Sequence, residues 1–211
     1  MERLLSVQHG EKFNTFSHLL GALIAFVGVA FLMHTAFVRQ DIPRIITFTI
    51  YGVSTVLIYV LSVLYHSAQG EQKRTFQKLD YIGIYFKIAG NYTPYMILAI
   101  SGVAGYSVLL VVWGLALLGI YLEVFRKPKG ATLRNILYVT MSASVIPVLS
   151  QLYQAVSLWG FALIMVGFLA YVIGFIFFLF DEKIKHGHGI WHMFVITGSM
   201  CQLICLLMFV A

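Results

Sequence analysis

Apolar runs of about twenty residues recur along almost the whole of this chain and leave little room for anything else. Crossing a hydrocarbon core of about 30 Å as a helix takes about 20 predominantly apolar residues. Runs of that kind occupy residues 17–38, 45–66, 81–103, 106–125, 133–151, 157–180 and 188–210. Only 10% of the 211 residues are charged, where a soluble domain carries about a quarter. The expected fold is an all-α integral membrane protein, a single seven-transmembrane-helix bundle over 1–211. The connections are too short to hold a kinase, a large ligand-binding ectodomain or a nucleic-acid module. A net charge of +6 is therefore explained by membrane topology rather than by a nucleic-acid partner.

Two divisions between runs rest on subtle signals. The stretch from residue 133 to 180 carries one charge, Arg134, at its very start. As one helix it would extend about 70 Å, more than twice the core thickness, so the chain must turn back, and Gln151, Tyr153, Gln154 and Ser157 mark where. The connection Ser101-Gly102-Val103-Ala104-Gly105 is equally short and free of charge.

Lys and Arg in the loops set the orientation. One side holds Arg3, Lys12, Lys73, Arg74, Lys78, Arg126, Lys127, Lys129, Arg134, Lys183 and Lys185, and the other only Arg39 and Arg44. Eleven against two places the N-terminus in the cytoplasm and the C-terminus outside. The first apolar run is too long for a signal-peptide core and is expected to be retained. Cys201 and Cys205 lie four apart in an apolar run and read as small packed side chains.

Ionisable residues at membrane depth are costly and mark function by default. Ser62 and His66 are spaced i, i+4 near the cytoplasmic end of the second run, so they share a helix face. Asp80 stands at the cytoplasmic start of the third run, and His188 and His192, again i, i+4, at that of the seventh. Loop charges alone thus bring three imidazoles and a carboxylate to one leaflet. Three neutral imidazoles with one open position suit a tetrahedral Zn²⁺ of the catalytic type, although Fe²⁺ or Mn²⁺ is compatible with the same spacing. Soluble zinc proteases with paired histidines carry Glu directly after the first His, and here that position is Gly189. The general base has to come from elsewhere, with Asp80 the candidate, while Ser62 can hydrogen-bond the water or an oxyanion.

With these residues in view, the chain resembles the hemolysin III family, the bacterial branch of the progestin and adipoQ receptor family, in the superfamily that includes the alkaline ceramidases. The resemblance rests on Glu11, Asn14 and His18, on Ser62-x-x-x-His66, on Leu79-Asp80-Tyr81-Ile82-Gly83-Ile84 with Thr93-Pro94, and on Gly187-His188-x-x-x-His192. It implies zinc held by His66, His188 and His192 at the cytoplasmic side, with Asp80 holding the water and Ser62 nearby. It also implies a location in the bacterial plasma membrane and a membrane lipid as substrate or ligand, since the related ceramidases hydrolyse the amide of a ceramide.

The expected activity is zinc-dependent hydrolysis of a lipid amide or ester. The alternatives are a non-enzymatic sensor or membrane-homeostasis protein with structural zinc, and a membrane-lytic protein. Glu11, Asn14 and His18, at i, i+3 and i+7, are expected on one face of an early-starting helix, either beneath the zinc site or as ordinary capping. Lys87 departs from the family pattern. It lies on one stripe with Asp80 and Asn91, about 10 Å deeper than Asp80, and is expected to contact an anionic lipid headgroup, to hold a polar cavity, to snorkel or to pair inside the bundle.

Overall fold

A backbone that crosses hydrocarbon has to satisfy each N–H and C=O internally, and the apolar runs meet that demand as helices. The computed structural model describes residues 7, 9–126 and 131–211, so Arg3, Lys127 and Lys129 of the charge count lie outside the described residues. Among the described residues there are seven α-helices: α1 Lys12–Val38, α2 Ile42–Ser67, α3 Gly70–Pro94, α4 Gly102–Tyr121, α5 Ala131–Ala143, α6 Leu149–Leu179 and α7 Gly187–Cys205. A 3-10 turn, His9–Glu11, leads into α1, and wider π turns extend α3, α4 and α7 as Tyr95–Ile100, Leu122–Arg126 and Leu206–Val210.

Among the described residues five stretches are long and apolar enough to cross a membrane: Lys12–Val38, Ile42–Ser67, Gly102–Arg126, Ala131–Leu179 and Gly187–Val210. The outward faces are apolar as well. Phe26 is 67% exposed and Leu110 75%, a surface that lipid accommodates and water does not. The chain is thus a multi-pass membrane protein built as a helical bundle. α3 is the helix that departs from this pattern, with Lys73, Arg74, Lys78, Asp80 and Lys87 along it.

Local chemistry explains where the helices begin and change. Asp41 caps α2, its Oδ1 accepting from the Arg44 amide at 3.0 Å, and Pro43 sits in the first turn, where a missing N–H costs little. Within α3, Pro94 lacks the amide that would bond the Gly90 carbonyl and crowds that oxygen. The π turns of Tyr95–Ile100 follow directly.

Both charge-free connections are shorter than expected, because in each the helix breaks at a serine with positive φ. Ser101 has φ 51 and ψ −173, and Ser157 has φ 64 and ψ 173. α4 already begins at Gly102 rather than 106, and helix persists to residue 156 rather than 151. The Tyr153 and Phe161 rings meet edge-on at 5.3 Å, although eight residues of straight helix would rise about 12 Å. A second irregularity, the 3-10 turn Ile146–Val148 around Pro147, precedes α6.

The main core gathers Leu32, Phe48, Tyr51, Tyr85, Met96, Met141 and Leu206 from α1, α2, α3, α5 and the end of α7. A smaller cluster of Ala25, Ile58, Tyr59, Val195 and Ile196 joins α1, α2 and α7. α2 and α3 approach so closely that a Cβ at Gly90 would overlap Ser54 Oγ. Gly90→Val is therefore expected to reduce stability by about 1–3 kcal/mol, read as a fall in the thermal midpoint of detergent-solubilised protein. Gly114→Val, where a Cβ meets nothing within 4 Å, should leave that midpoint nearly unchanged.

Candidate metal centre

α2 ends and α7 begins at the same end of the bundle, which brings His66 together with His188 and His192. One ligating atom from each lies within 4.8 Å of the others. The ring centroids are 5.0 Å apart for His66–His188, 5.0 Å for His66–His192 and 4.7 Å for His188–His192. His66 and His192 are buried at 3% and 1% exposure, whereas His188 is partly open.

Each imidazole is anchored through Nδ1. His66 Nδ1 meets Glu11 Oε2 at 2.7 Å, and His188 Nδ1 meets Asp181 Oδ2 at 2.8 Å. His192 Nδ1 faces the Asn14 carbonyl at 3.2 Å and Ser17 Oγ at 3.1 Å. Carboxylates and a carbonyl accept, so Nδ1 is the protonated nitrogen in all three rings and each Nε2 keeps a lone pair. His66 Nε2 is buried with no hydrogen-bond partner. This is the outer arrangement that metal-bound histidines show, a carboxylate or carbonyl fixing the tautomer and the ring plane. The donor set fits a divalent ion such as Zn²⁺, for which three nitrogen ligands at about 2.0–2.1 Å leave a fourth position open.

α1 supplies much of that outer arrangement. Glu11 also accepts from Asn14 Nδ2 at 2.9 Å and from Lys73 Nζ at 2.5 Å. Burial works to raise its carboxyl, but the hydrogen bonds from His66, Lys73 and Asn14 outweigh burial and hold it well below the usual carboxylate range. Glu11 does not cap α1 with its side chain, and its carboxylate lies instead against His66 and Lys73. α7 can come this close because its third helical residue is Gly189, where a Cβ would overlap the Phe13 ring.

The other expected residues take different places. His18 is buried and stacks on His192 with centroids 3.5 Å apart, and it meets Tyr59 edge-on at 5.1 Å. Neither of its nitrogens has a partner, so it buttresses His192. Asp80, 8% exposed, does not join the three-histidine group. Its carboxyl neighbours Ser62, one turn before His66, and the Ser62 hydroxyl is buried without a hydrogen bond of acceptable geometry. Lys87 is buried away from this end, donating to Thr55 and Asn91. His34 and His186 are exposed.

Asp181, Ser17 and Lys73 escaped the sequence reading. Asp181 lies seven residues before His188 in a turn, and no regular periodicity links the two. Ser17 adjoins His18 but faces another helix. Lys73 looked like one more loop cation.

The whole of this arrangement falls within a match to the family model described as Haemolysin-III related, which covers residues 6–203. Hemolysin-3 of Bacillus cereus is 33% identical over 211 residues, all of this chain and 96% of that protein. The Hemolysin-3 homolog of Bacillus subtilis is 34% identical over 197 residues, 93% of this chain and 92% of its own length. The human Monocyte to macrophage differentiation factor is 28% identical over 193 residues, 88% of this chain and 78% of that protein. On the extent of these matches, the chain belongs to the haemolysin-III family.

Proposed function

We propose that this protein is a membrane hydrolase that holds Zn²⁺ on His66, His188 and His192 and cleaves an amide or ester of a lipid at the cytoplasmic leaflet. The observation that carries this reading is the set of three imidazoles anchored at Nδ1 by Glu11, Asp181 and Asn14, with one ring nitrogen of each within 4.8 Å of the others. When bound, zinc lowers the pKa of a water ligand to about 7 and polarises a carbonyl. Around it, Asp80 is the proton acceptor and Ser62 donates its unused hydroxyl hydrogen to a substrate carbonyl oxygen. The position at a bundle end favours an amphipathic substrate whose scissile bond sits at headgroup depth.

The same reading takes the chain across the plasma membrane seven times, N-terminus inside. The reversal at Ser157 splits the 49-residue stretch Ala131–Leu179 into two crossings, and α3 with its π extension makes another. On this topology a cysteine placed at Ser101 or Ser157, in a background lacking Cys201 and Cys205, is labelled from outside intact cells. One placed at Lys185 is labelled only after permeabilisation, and the reverse pattern would overturn the orientation.

A second reading, structural zinc in a non-enzymatic protein, is favoured by one observation: the three ligands join α2 to α7 across a bundle end otherwise bridged by α1. Elemental analysis of purified protein is expected to find about one zinc per chain, lost in His66→Ala and His188→Ala and retained in Asp80→Asn. Hydrolysis in Asp80→Asn should fall by about 10²–10⁴-fold. Undiminished biological activity in Asp80→Asn would favour structural zinc, and a metal-free variant that still lyses membranes would favour the lytic activity named for the Bacillus relatives. Glu11→Gln and Asp181→Asn are each expected to weaken metal affinity by about 10–100-fold, measured by competition with a chelating dye.

A further inference from the structure

Lys87 lies inside the bundle at 5% exposure, and its amine meets only groups that accept. Nζ donates to Thr55 Oγ1 of α2 at 3.0 Å and to Asn91 Oδ1, one turn on in α3, at 3.1 Å. Thr55 commits its own hydrogen to the Tyr51 carbonyl at 2.7 Å, and the Tyr51 ring presents its π face 4.8 Å from Nζ. An ammonium has three N–H groups and no acceptor, so it dictates which end of the Asn91 amide faces it. With Oδ1 taken, Nδ2 is left to donate across to α7, and it does so to Gln202 Oε1.

Gln202 is the residue at which α7 is tied to its neighbours. Its Oε1 also accepts from the Tyr171 hydroxyl of α6 at 3.3 Å. Its backbone carbonyl accepts at 3.0 Å from the Tyr95 hydroxyl, in the π turns that follow α3. Three residues earlier in α7, Ser199 Oγ meets the same Tyr171 hydroxyl at 2.9 Å. Since Tyr171 donates to Gln202, Ser199 is the donor to Tyr171. The orientation set by the Lys87 ammonium thus continues through Asn91 to the hub on α7.

The face of α7 that makes these contacts is the face that bears the histidines. At about 100° per residue, positions 188, 192, 199 and 202 fall within about 80° of one another, and α7 runs unbroken from Gly187 to Cys205. A turn of α7 about its axis that carried His188 and His192 away from His66 would also carry Ser199 and Gln202 away from Tyr171 and Asn91. The bilayer core offers no water to replace those hydrogen bonds. They therefore resist the turn from a point about 15 Å along the helix from His192.

We propose that Lys87 is a positioning residue of the metal centre: by fixing how the Asn91 and Gln202 amides face each other, it holds the rotation of α7 at which His188 and His192 meet His66. The proposal rests on the reading that the three histidines bind a metal ion. Co²⁺ titrated into detergent-purified protein tests it, because this ion accepts nitrogen ligands and its visible absorption reports the coordination geometry. Lys87→Met is expected to weaken Co²⁺ binding by about threefold to tenfold and to alter the spectrum of the bound ion. Tyr171→Phe, which keeps the ring and removes the hydroxyl, should act in the same direction and serves if Lys87→Met does not fold. Leu206→Ala, which thins the packing one turn past Gln202 without touching a polar partner, should lower the thermal midpoint and leave the spectrum as it is. Wild-type affinity and spectrum in every polar variant that folds, or the same spectral change in Leu206→Ala, would overturn the positioning role alone. A wild type that binds no Co²⁺ would overturn the metal centre and this role with it.

Discussion

The three histidines depend on hydrogen bonds to groups that lie outside the two helices bearing them. An imidazole can rotate about two bonds, and a ring free to do so does not present its Nε2 lone pair in a fixed direction. Glu11 from the 3-10 turn that leads into α1 and Asn14 from α1, with Asp181 from the turn before α7, remove that freedom by accepting from Nδ1. α1 therefore acts as the brace of the site. Its first turn touches His66 and Lys73 through Glu11 and His192 through Asn14 and Ser17, and one turn on His18 lies flat against His192. Two carboxylates also place negative charge behind two of the three imidazoles, which raises the basicity of those rings.

Membrane physics accounts for how such an arrangement is tolerated. Polar atoms at one end of the bundle are held by partners on neighbouring helices, and the outward faces of α1 and α4 stay apolar. The same logic applies at depth, where Lys87, Asn91, Gln202, Tyr171 and Ser199 connect α3, α6 and α7 through side-chain hydrogen bonds. At the bundle end that bears the site, Arg134 forms a two-pronged pair with the buried Glu123 and lies 3.6 Å from the centre of the Tyr81 ring. That pairing ties α5 to the π extension of α4 and to α3 without exposing either charge to lipid.

How much was legible in the chain itself varies with the range of the interaction. Helix positions followed from runs of apolar residues, because length and hydropathy are local properties. The i, i+4 spacings of Ser62 with His66 and of His188 with His192 likewise placed each pair on one face. The turns were legible only as regions: a polar patch from Gln151 to Ser157 pointed to a turn, and in the structure the helix breaks there at a single serine with positive φ. Asp80 was singled out as a carboxylate at the right depth, and the structure sets it beside Ser62, one turn before His66.

By itself the sequence determined that this chain is a helical membrane protein and that His66, His188 and His192 belong to one end of it. Hydropathy and helical periodicity act within a few residues, and the apolar medium permits few other folds. Only the tertiary structure decided that Asp181 and Ser17 anchor two of those rings, that His18 lies flat on the ring of His192, and that Lys87 turns inward to Thr55 and Asn91. Each of those outcomes depends on how separate elements are turned against each other. Close packing between distant parts of the chain sets that rotation, at contacts such as Gly189 against Phe13 and Gly90 against Ser54.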